Sequence, residues 1–274
     1  MTLPDEFVFS QNNLQDFVDC PRRFQLKYIL KTAWPAPVSE PIEEHDRLID
    51  LGSRFHMMAQ RYFLGIPEEV ITRHVTDEDL LAWWNAFINN PPSGMPPDRQ
   101  PEIYTSMPFA GYRLAAKIDL LAVEKGKRAV IYDWKTTHQE PRPRFLKERI
   151  QSLVYPLLVI KTGGALNDYK PFDPSQVSMV YWYPAFPDSP VSLTFDHEWV
   201  SSAEANLTRL ITQIASMKME IYPLTVDDKK CKFCRYRSLC ERGISAGTMD
   251  EEEETIESES LLDINFDDIQ GIAF

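Results

Sequence analysis

Residues 128–137 read Arg-Ala-Val-Ile-Tyr-Asp-Trp-Lys-Thr-Thr, a short apolar run ending in two opposite charges, Asp133 and Lys135. In a strand, residues i and i+2 point to the same face, so this carboxylate and ammonium project together from the end of a buried strand. The preceding segment, residues 111–123, also reads as a strand and carries its own acid, Asp119. Two carboxylates on neighbouring strands with a lysine beside them suit a divalent cation, a phosphate group and an attacking water. Taken alone, Asp133 and Lys135 also fit a plain surface salt bridge at a strand end.

Other residues fit the same chemistry. Asp119 and Asp133 are hard oxygen donors matched to Mg²⁺ or Mn²⁺, and an imidazole added to them favours Mn²⁺. His56, in Leu-Gly-Ser-Arg-Phe-His, is such an imidazole within a helical pattern; a lone helical histidine is also a common packing or surface residue. Lys135 offers a compact charge for a scissile phosphate or the attacking water. Gln151 and Tyr155 are one helical turn apart and share a face, from which either can reach lysine, water or phosphate.

These groups need elements to hold them. Ser10 is placed as the N-cap of a helix running towards Leu30, with Leu14, Phe17 and Val18 on one face and a break at Pro21. Helical patterns cover 44–64 and 77–89, and the Pro-rich segment 91–101 reads as a loop. Strands are expected at 102–109, 111–124 and 128–135, then a helix over 144–161, strands at 177–184 and 191–196, and a helix over 199–219. This order predicts an α/β fold with a mixed sheet flanked by helices.

Gly52-Ser-Arg-Phe-His56, Lys117-Ile-Asp119, Asp133-Trp-Lys135 and Gln151-Ser-Leu-Val-Tyr155, in that order, resemble the RecB-type branch of the PD-(D/E)XK nucleases. The resemblance covers about residues 7–242. It implies a restriction-endonuclease-like core in which His56, Asp119, Asp133 and the Trp134 carbonyl hold the metal. It further implies that Lys135 is the catalytic lysine, with Gln151 and Tyr155 assisting at the phosphate. Glu102 opens the strand before Asp119 and is expected as a supporting acid behind the ligands. One departure is Ala115-Ala116, where relatives often carry a glycine nearby.

The four cysteines are Cys20 and a late trio, Cys231, Cys234 and Cys240. Four thiolates suit a structural Zn²⁺ or an iron–sulfur cluster. Zinc ribbons usually pair two Cys-x-x-Cys knuckles, and here one cysteine is remote and one spacing is long. An early lone cysteine with a late trio is similar to the iron–sulfur nucleases of this family, AddB-type subunits and the CRISPR-adaptation nuclease among them. That resemblance implies a [4Fe–4S] cluster stapling the first helix to the carboxyl-terminal segment. Arg22, Arg23, Lys232, Arg235 and Arg237 flank these cysteines among aromatic residues, as a single-strand channel requires; alternatively, the rings pack the cluster and the charges face water.

The 274 residues, 43% hydrophobic, allow one substantial core with a small appended module. The expected division is 1–30 for the amino-terminal part of the iron–sulfur module, 31–225 for the nuclease domain, 226–247 for the cysteine cluster and 248–274 for a flexible acidic tail. The net charge of −12 is uneven: ten of the 41 acids follow Arg242, leaving 31 against 29 bases before it. A near-neutral body can still present a basic groove to nucleic acid. The tail alternates apolar and acidic residues after Leu261, which fits a solubilising segment or a peptide that docks on a protein partner. The acidic, polar amino terminus is unlike a signal peptide, and no apolar run is long enough for a membrane span, so a cytoplasmic protein without a membrane partner is expected.

The expected function is a Mg²⁺- or Mn²⁺-dependent deoxyribonuclease with a [4Fe–4S] cluster, cutting single-stranded DNA from an end in repair, recombination or phage DNA processing. Two alternatives stand beside it: a CRISPR-adaptation nuclease trimming spacer precursors, and a non-catalytic DNA-binding scaffold subunit.

Overall fold

Strand β3 (Tyr112–Glu124) carries ladders on both of its edges and organises the rest of the chain. A computed structural model describes residues 3–4, 6–34, 40–137 and 140–243, without the side chains of 40–45. The acidic tail, 248–274, lies outside the described residues. The helices are α1 (Gln11–Asp19), α2 (Pro21–Phe24), α3 (Glu40–Phe63), α4 (Glu68–Thr72), α5 (Glu78–Asn89), α6 (Pro143–Glu148), α7 (Gln151–Thr162) and α8 (His197–Ser216). The remaining strands are β1 (Val8–Phe9), β2 (Asp98–Phe109), β4 (Arg128–Trp134), β5 (Val177–Trp182) and β6 (Val191–Thr194).

The sheet runs β1-β3-β4-β5-β6, with β2 on the other edge of β3. The β2–β3, β3–β4 and β5–β6 pairs are antiparallel; β1–β3 and β4–β5 are parallel. A parallel pair needs a crossover, which α6 and α7 supply between β4 and β5. One face of the sheet packs on α1, α7 and α8 through Leu14, Phe17, Val154, Leu158, Leu207 and Ile211. The other packs on α3 and α5 through Leu51, Phe55, Met58, Trp83, Trp84 and Phe87. This is the expected mixed sheet between helical layers.

Local chemistry accounts for the element ends. Ser10 caps α1 with a reciprocal capping box to Asn13, and Asp77 and Asp196 cap α5 and α8. The helix expected over 144–161 is two. Arg149 is extended (φ −70°, ψ 144°), and Ser152 Oγ donates to the Leu146 carbonyl across the break at 2.5 Å. Gln151 therefore opens a new helix instead of lying inside a long one.

The break expected at Pro21 is present: α1 ends at Asp19, and α2 and a π-helical turn, Gln25–Ile29, follow. Other expectations change. Val18 was expected with Leu14 and Phe17 in the core, but it is 53% exposed while those two are buried. Strand β2 begins at Asp98, inside the segment expected as loop, and β1 and α4 are additional. Among the described residues no helix is long and apolar enough to cross a membrane.

Candidate active site

Three acids line up across three strands. The β3–β4 ladder ends at Leu120↔Tyr132, and the same register sets Asp119 opposite Asp133. On the other edge, Pro101↔Leu120 and Ile103↔Ile118 share one register, which sets Glu102 opposite Asp119. The β2–β3 pairing skips that position, and Glu102 has a left-handed backbone, φ 52°. A non-glycine residue held there costs about 1–3 kcal/mol. Side-chain alternation on β3 also reverses here: Leu114, Ala116 and Ile118 join the α1/α7/α8 core, whereas Leu120 and Ala122 join the α3/α5 core. In a regular strand 118 and 120 share a face. Asp119 thus stands where β3 changes face.

Helix α3 brings His56 onto this row. Its Nδ1 lies 3.3 Å from Asp119 Oδ1, while Asp119 Oδ2 accepts the Trp134 backbone N–H at 2.9 Å. One donor atom each from His56, Glu102 and Asp119 fall within 4.8 Å of one another. His56 Nε2 is buried with no hydrogen-bond partner among the described residues. Glu102 pairs with Lys117 and Asp133 with Lys135, so each acid of the row has a cation beside it.

Charge coupling ties these groups together. Burial pushes the His56 imidazole down, but Asp119, Asp133 and Glu102 outweigh it and leave its pKa raised. Burial raises Asp119, yet His56, the Trp134 N–H and Lys135 leave it below its usual range. Burial raises Asp133, helped by Asp119 and opposed by Lys135. The three acids thus act together on one imidazole, and an oxygen–oxygen–nitrogen donor set of this kind fits Mg²⁺ or Mn²⁺.

Beside this group, Lys135 Nζ lies 2.7 Å from Asp133 Oδ2 and donates to Gln151 Oε1 at 3.0 Å. Gln151 Nε2 donates in turn to Asp133 Oδ1 at 2.5 Å. The ammonium sits 5.5 Å above the Tyr181 ring, whose hydroxyl is bonded to Ser152 Oγ at 2.7 Å. The amide of α7's first residue thus ties the acid of β4 and the lysine just past its end into one unit. Tyr155, a turn further along α7, is buried, and Gln11 Nε2 donates to its hydroxyl at 2.9 Å. Burial, then Asp133 and Asp119, push the Tyr155 phenol well above its usual pKa.

The structure thus gathers His56, Asp119, Asp133, Trp134, Lys135, Gln151 and Tyr155 around the end of the β3–β4 ladder. Glu102, expected behind His56, Asp119 and Asp133, brings a carboxylate oxygen within 4.8 Å of donor atoms of His56 and Asp119, while Asp133 pairs with Lys135 and Gln151. Gln11 escaped sequence reasoning, because 144 residues separate it from Tyr155 and no local pattern links them.

The residues read as DNA contacts divide. Arg23 is buried, 2.7 Å from Asp16 and 2.9 Å from Asp19, and Arg237 is 1% exposed. Neither guanidinium faces a nucleic acid, which corrects their expected role. Phe24, Phe233 and Tyr236 are buried too, so these rings pack instead of stacking on bases. Arg22 donates to Gln25 at 2.5 Å, Lys232 is half-buried and Arg235 is exposed.

The four cysteines are free thiols. They do not meet in direct ligand contact; among the described residues His56, Glu102 and Asp119 are the group that does. They are electrostatic neighbours nonetheless: burial and then Cys20 raise the Cys231 and Cys240 thiols. Burial pushes Cys234 up to about 11, with Arg23 opposing and Cys20 and Cys231 adding to the rise.

A family model described as PD-(D/E)XK nuclease superfamily matches residues 8–95 and 86–241. No curated protein matches the sequence significantly. Two solved structures are similar at low identity. The protein SSO0001 has a TM-score of 0.43 at 14% identity, covering 87% of each chain. The Eubacterium rectale protein named "putative exonuclease" has a TM-score of 0.49 at 13% identity, covering 82% of this chain and 86% of its own.

Proposed function

The chain belongs to the PD-(D/E)XK nuclease superfamily, and on that premise we propose that it is a divalent-metal-dependent deoxyribonuclease. The observation that carries this reading is the convergence of His56, Glu102 and Asp119, from α3, β2 and β3, on one point beside the Asp133–Lys135 pair. In this reading His56, Glu102, Asp119 and the Trp134 carbonyl would hold the cation, and Asp133, oriented by Lys135 and Gln151, would complete the set. Mn²⁺ or Mg²⁺ bound there supplies Lewis acidity for a phosphodiester and for a water.

The chain's own residues do the rest. Lys135, fixed by Asp133 and Gln151, holds an ammonium where negative charge grows on phosphate oxygens. Because Gln151 bonds both members of the pair, the ammonium needs no reorganisation when substrate arrives. Tyr155, kept protonated by its surroundings, offers an O–H to a phosphate oxygen. The family resemblance further favours single-stranded DNA cut from an end.

We also propose that Cys20, Cys231, Cys234 and Cys240 hold a [4Fe–4S] cluster. Support comes from thiols of both chain ends acting on one another, with Arg22, Arg23 and Arg242 among the cations acting on them. Such guanidinium groups suit the net negative charge of a cluster bound by four thiolates. Hydrogen bonds also join the two segments: Trp34 Nε1 to Ser238 Oγ at 2.8 Å, and Lys230 Nζ to Asp19 Oδ1 at 2.8 Å.

The deciding experiment offers end-labelled single- and double-stranded DNA to the wild type, Asp119→Ala and Lys135→Ala with Mn²⁺. Cleavage by wild type alone is expected; equal cleavage by all three, or by none, overturns the reading.

A further inference from the structure

Resting on the nuclease reading above, we infer that Gln11 is a positioning residue for the reaction: it orients the Tyr155 hydroxyl so that the phenol's proton faces the substrate. Gln11 is the first residue of α1, set there by the Ser10 capping box, and α1 lies against α7. Its Nε2 donates to Tyr155 Oη at 2.9 Å, and both residues are buried. A phenol oxygen that accepts an N–H must direct its own O–H elsewhere. Gln151 also hydrogen-bonds this hydroxyl, and Asp133 and Asp119 act on it, so the groups around it apart from Gln11 belong to the catalytic row.

The other half of the amide shows what the position is for. Gln11 Oε1 is buried with no hydrogen-bond partner among the described residues. An unsatisfied buried carbonyl is unfavourable, and a leucine would fill the same space without leaving one. The donor is therefore what the site uses. The opposite amide orientation would give Oε1 the phenol proton and turn it away from substrate, which makes the inference directional.

The test uses full-length protein and a single-stranded oligonucleotide with Mn²⁺, comparing wild type, Gln11→Leu, Gln11→Glu, Tyr155→Phe and the Gln11→Leu/Tyr155→Phe double variant. Gln11→Leu should lower kcat by roughly tenfold to a hundredfold with KM and Tm little changed, because only orientation is lost. Gln11→Glu, nearly isosteric but without a donor, should fall at least as far, since its carboxylate accepts a hydrogen bond from the phenol O–H and turns it away from substrate. The double variant should be no slower than Tyr155→Phe alone, the non-additivity expected of residues acting as one unit. If the Gln11→Leu defect persists in full in the Tyr155→Phe background, or if Gln11→Glu keeps wild-type kcat, Gln11 does not act through Tyr155. A wild type without metal-dependent cleavage would instead remove the nuclease reading on which the inference rests.

Discussion

The Asp119 carboxylate accepts the backbone N–H of Trp134 at 2.9 Å, so the acid of β3 is bonded to the peptide that joins Asp133 to Trp134. The ladder itself stops one residue earlier, at Leu120↔Tyr132. Where strand pairing ends, a side chain takes its place and holds both acids in one plane of the sheet. A carboxylate whose second oxygen faces His56 at 3.3 Å is then aimed by the fold, not by a flexible loop.

Metal binding should stabilise the protein. Mn²⁺ at a hundred times its dissociation constant adds about 2.7 kcal/mol to folding stability. Thermal melts should rise with Mn²⁺ in the wild type and in Lys135→Ala, but not in His56→Ala or Asp119→Ala. A flat wild-type titration would argue against a cation at this site.

Lysine and glutamine should separate in turnover. Lys135→Ala removes the fixed ammonium and is expected to slow cleavage by roughly a hundredfold or more. Gln151→Leu leaves the ammonium beside Asp133 and should cost about tenfold in kcat. Single-turnover rates measure both; a Gln151→Leu defect larger than that of Lys135→Ala would reverse the assigned roles.

The cysteines predict a metal content. Protein purified without oxygen should contain about four iron atoms per chain with matching sulfide, and Cys234→Ala should lose them. One zinc and no iron would instead assign a structural zinc site, while wild-type protein free of both metals would leave the thiols unligated.

The two arginines on either side of the burial boundary should behave oppositely. Arg23 sits between Asp16 and Asp19, with Lys27 3.3 Å from Asp16 and Lys230 2.8 Å from Asp19. Arg23→Met strips two buried carboxylates of their shared partner and should destabilise by about 3 kcal/mol. Arg235→Ala, at an exposed position, should leave Tm alone and weaken single-strand affinity with a smaller salt slope. Denaturant melts and salt-titrated anisotropy on the two variants distinguish these outcomes.

Much of the architecture was legible because its cause is local. The strand patterns at 111–124 and 128–135, the capping serine at 10 and the helical patterns at 44–64 and 77–89 each reflect residues within a few positions of one another. The same locality misled at Val18 and across 144–161. The exposure of Val18 depends on where α1 meets its neighbours, and the break at Arg149 is bridged by Ser152 reaching back to Leu146.

By itself, then, the sequence determined the order of strands and helices, the identity of the acids and the lysine, and the pairing of Asp133 with Lys135 two residues apart on one strand. Only the tertiary structure decided which acids share a point. Glu102 enters because β2 is in register with β3 and takes a left-handed backbone there, and His56 because α3 packs on the opposite face from α7. It also decided that Arg23 and Arg237 are interior groups and that Gln11 holds Tyr155. Spacing along a chain sets direction within one element; closeness between elements depends on how their apolar faces pack, and no short stretch of residues encodes that.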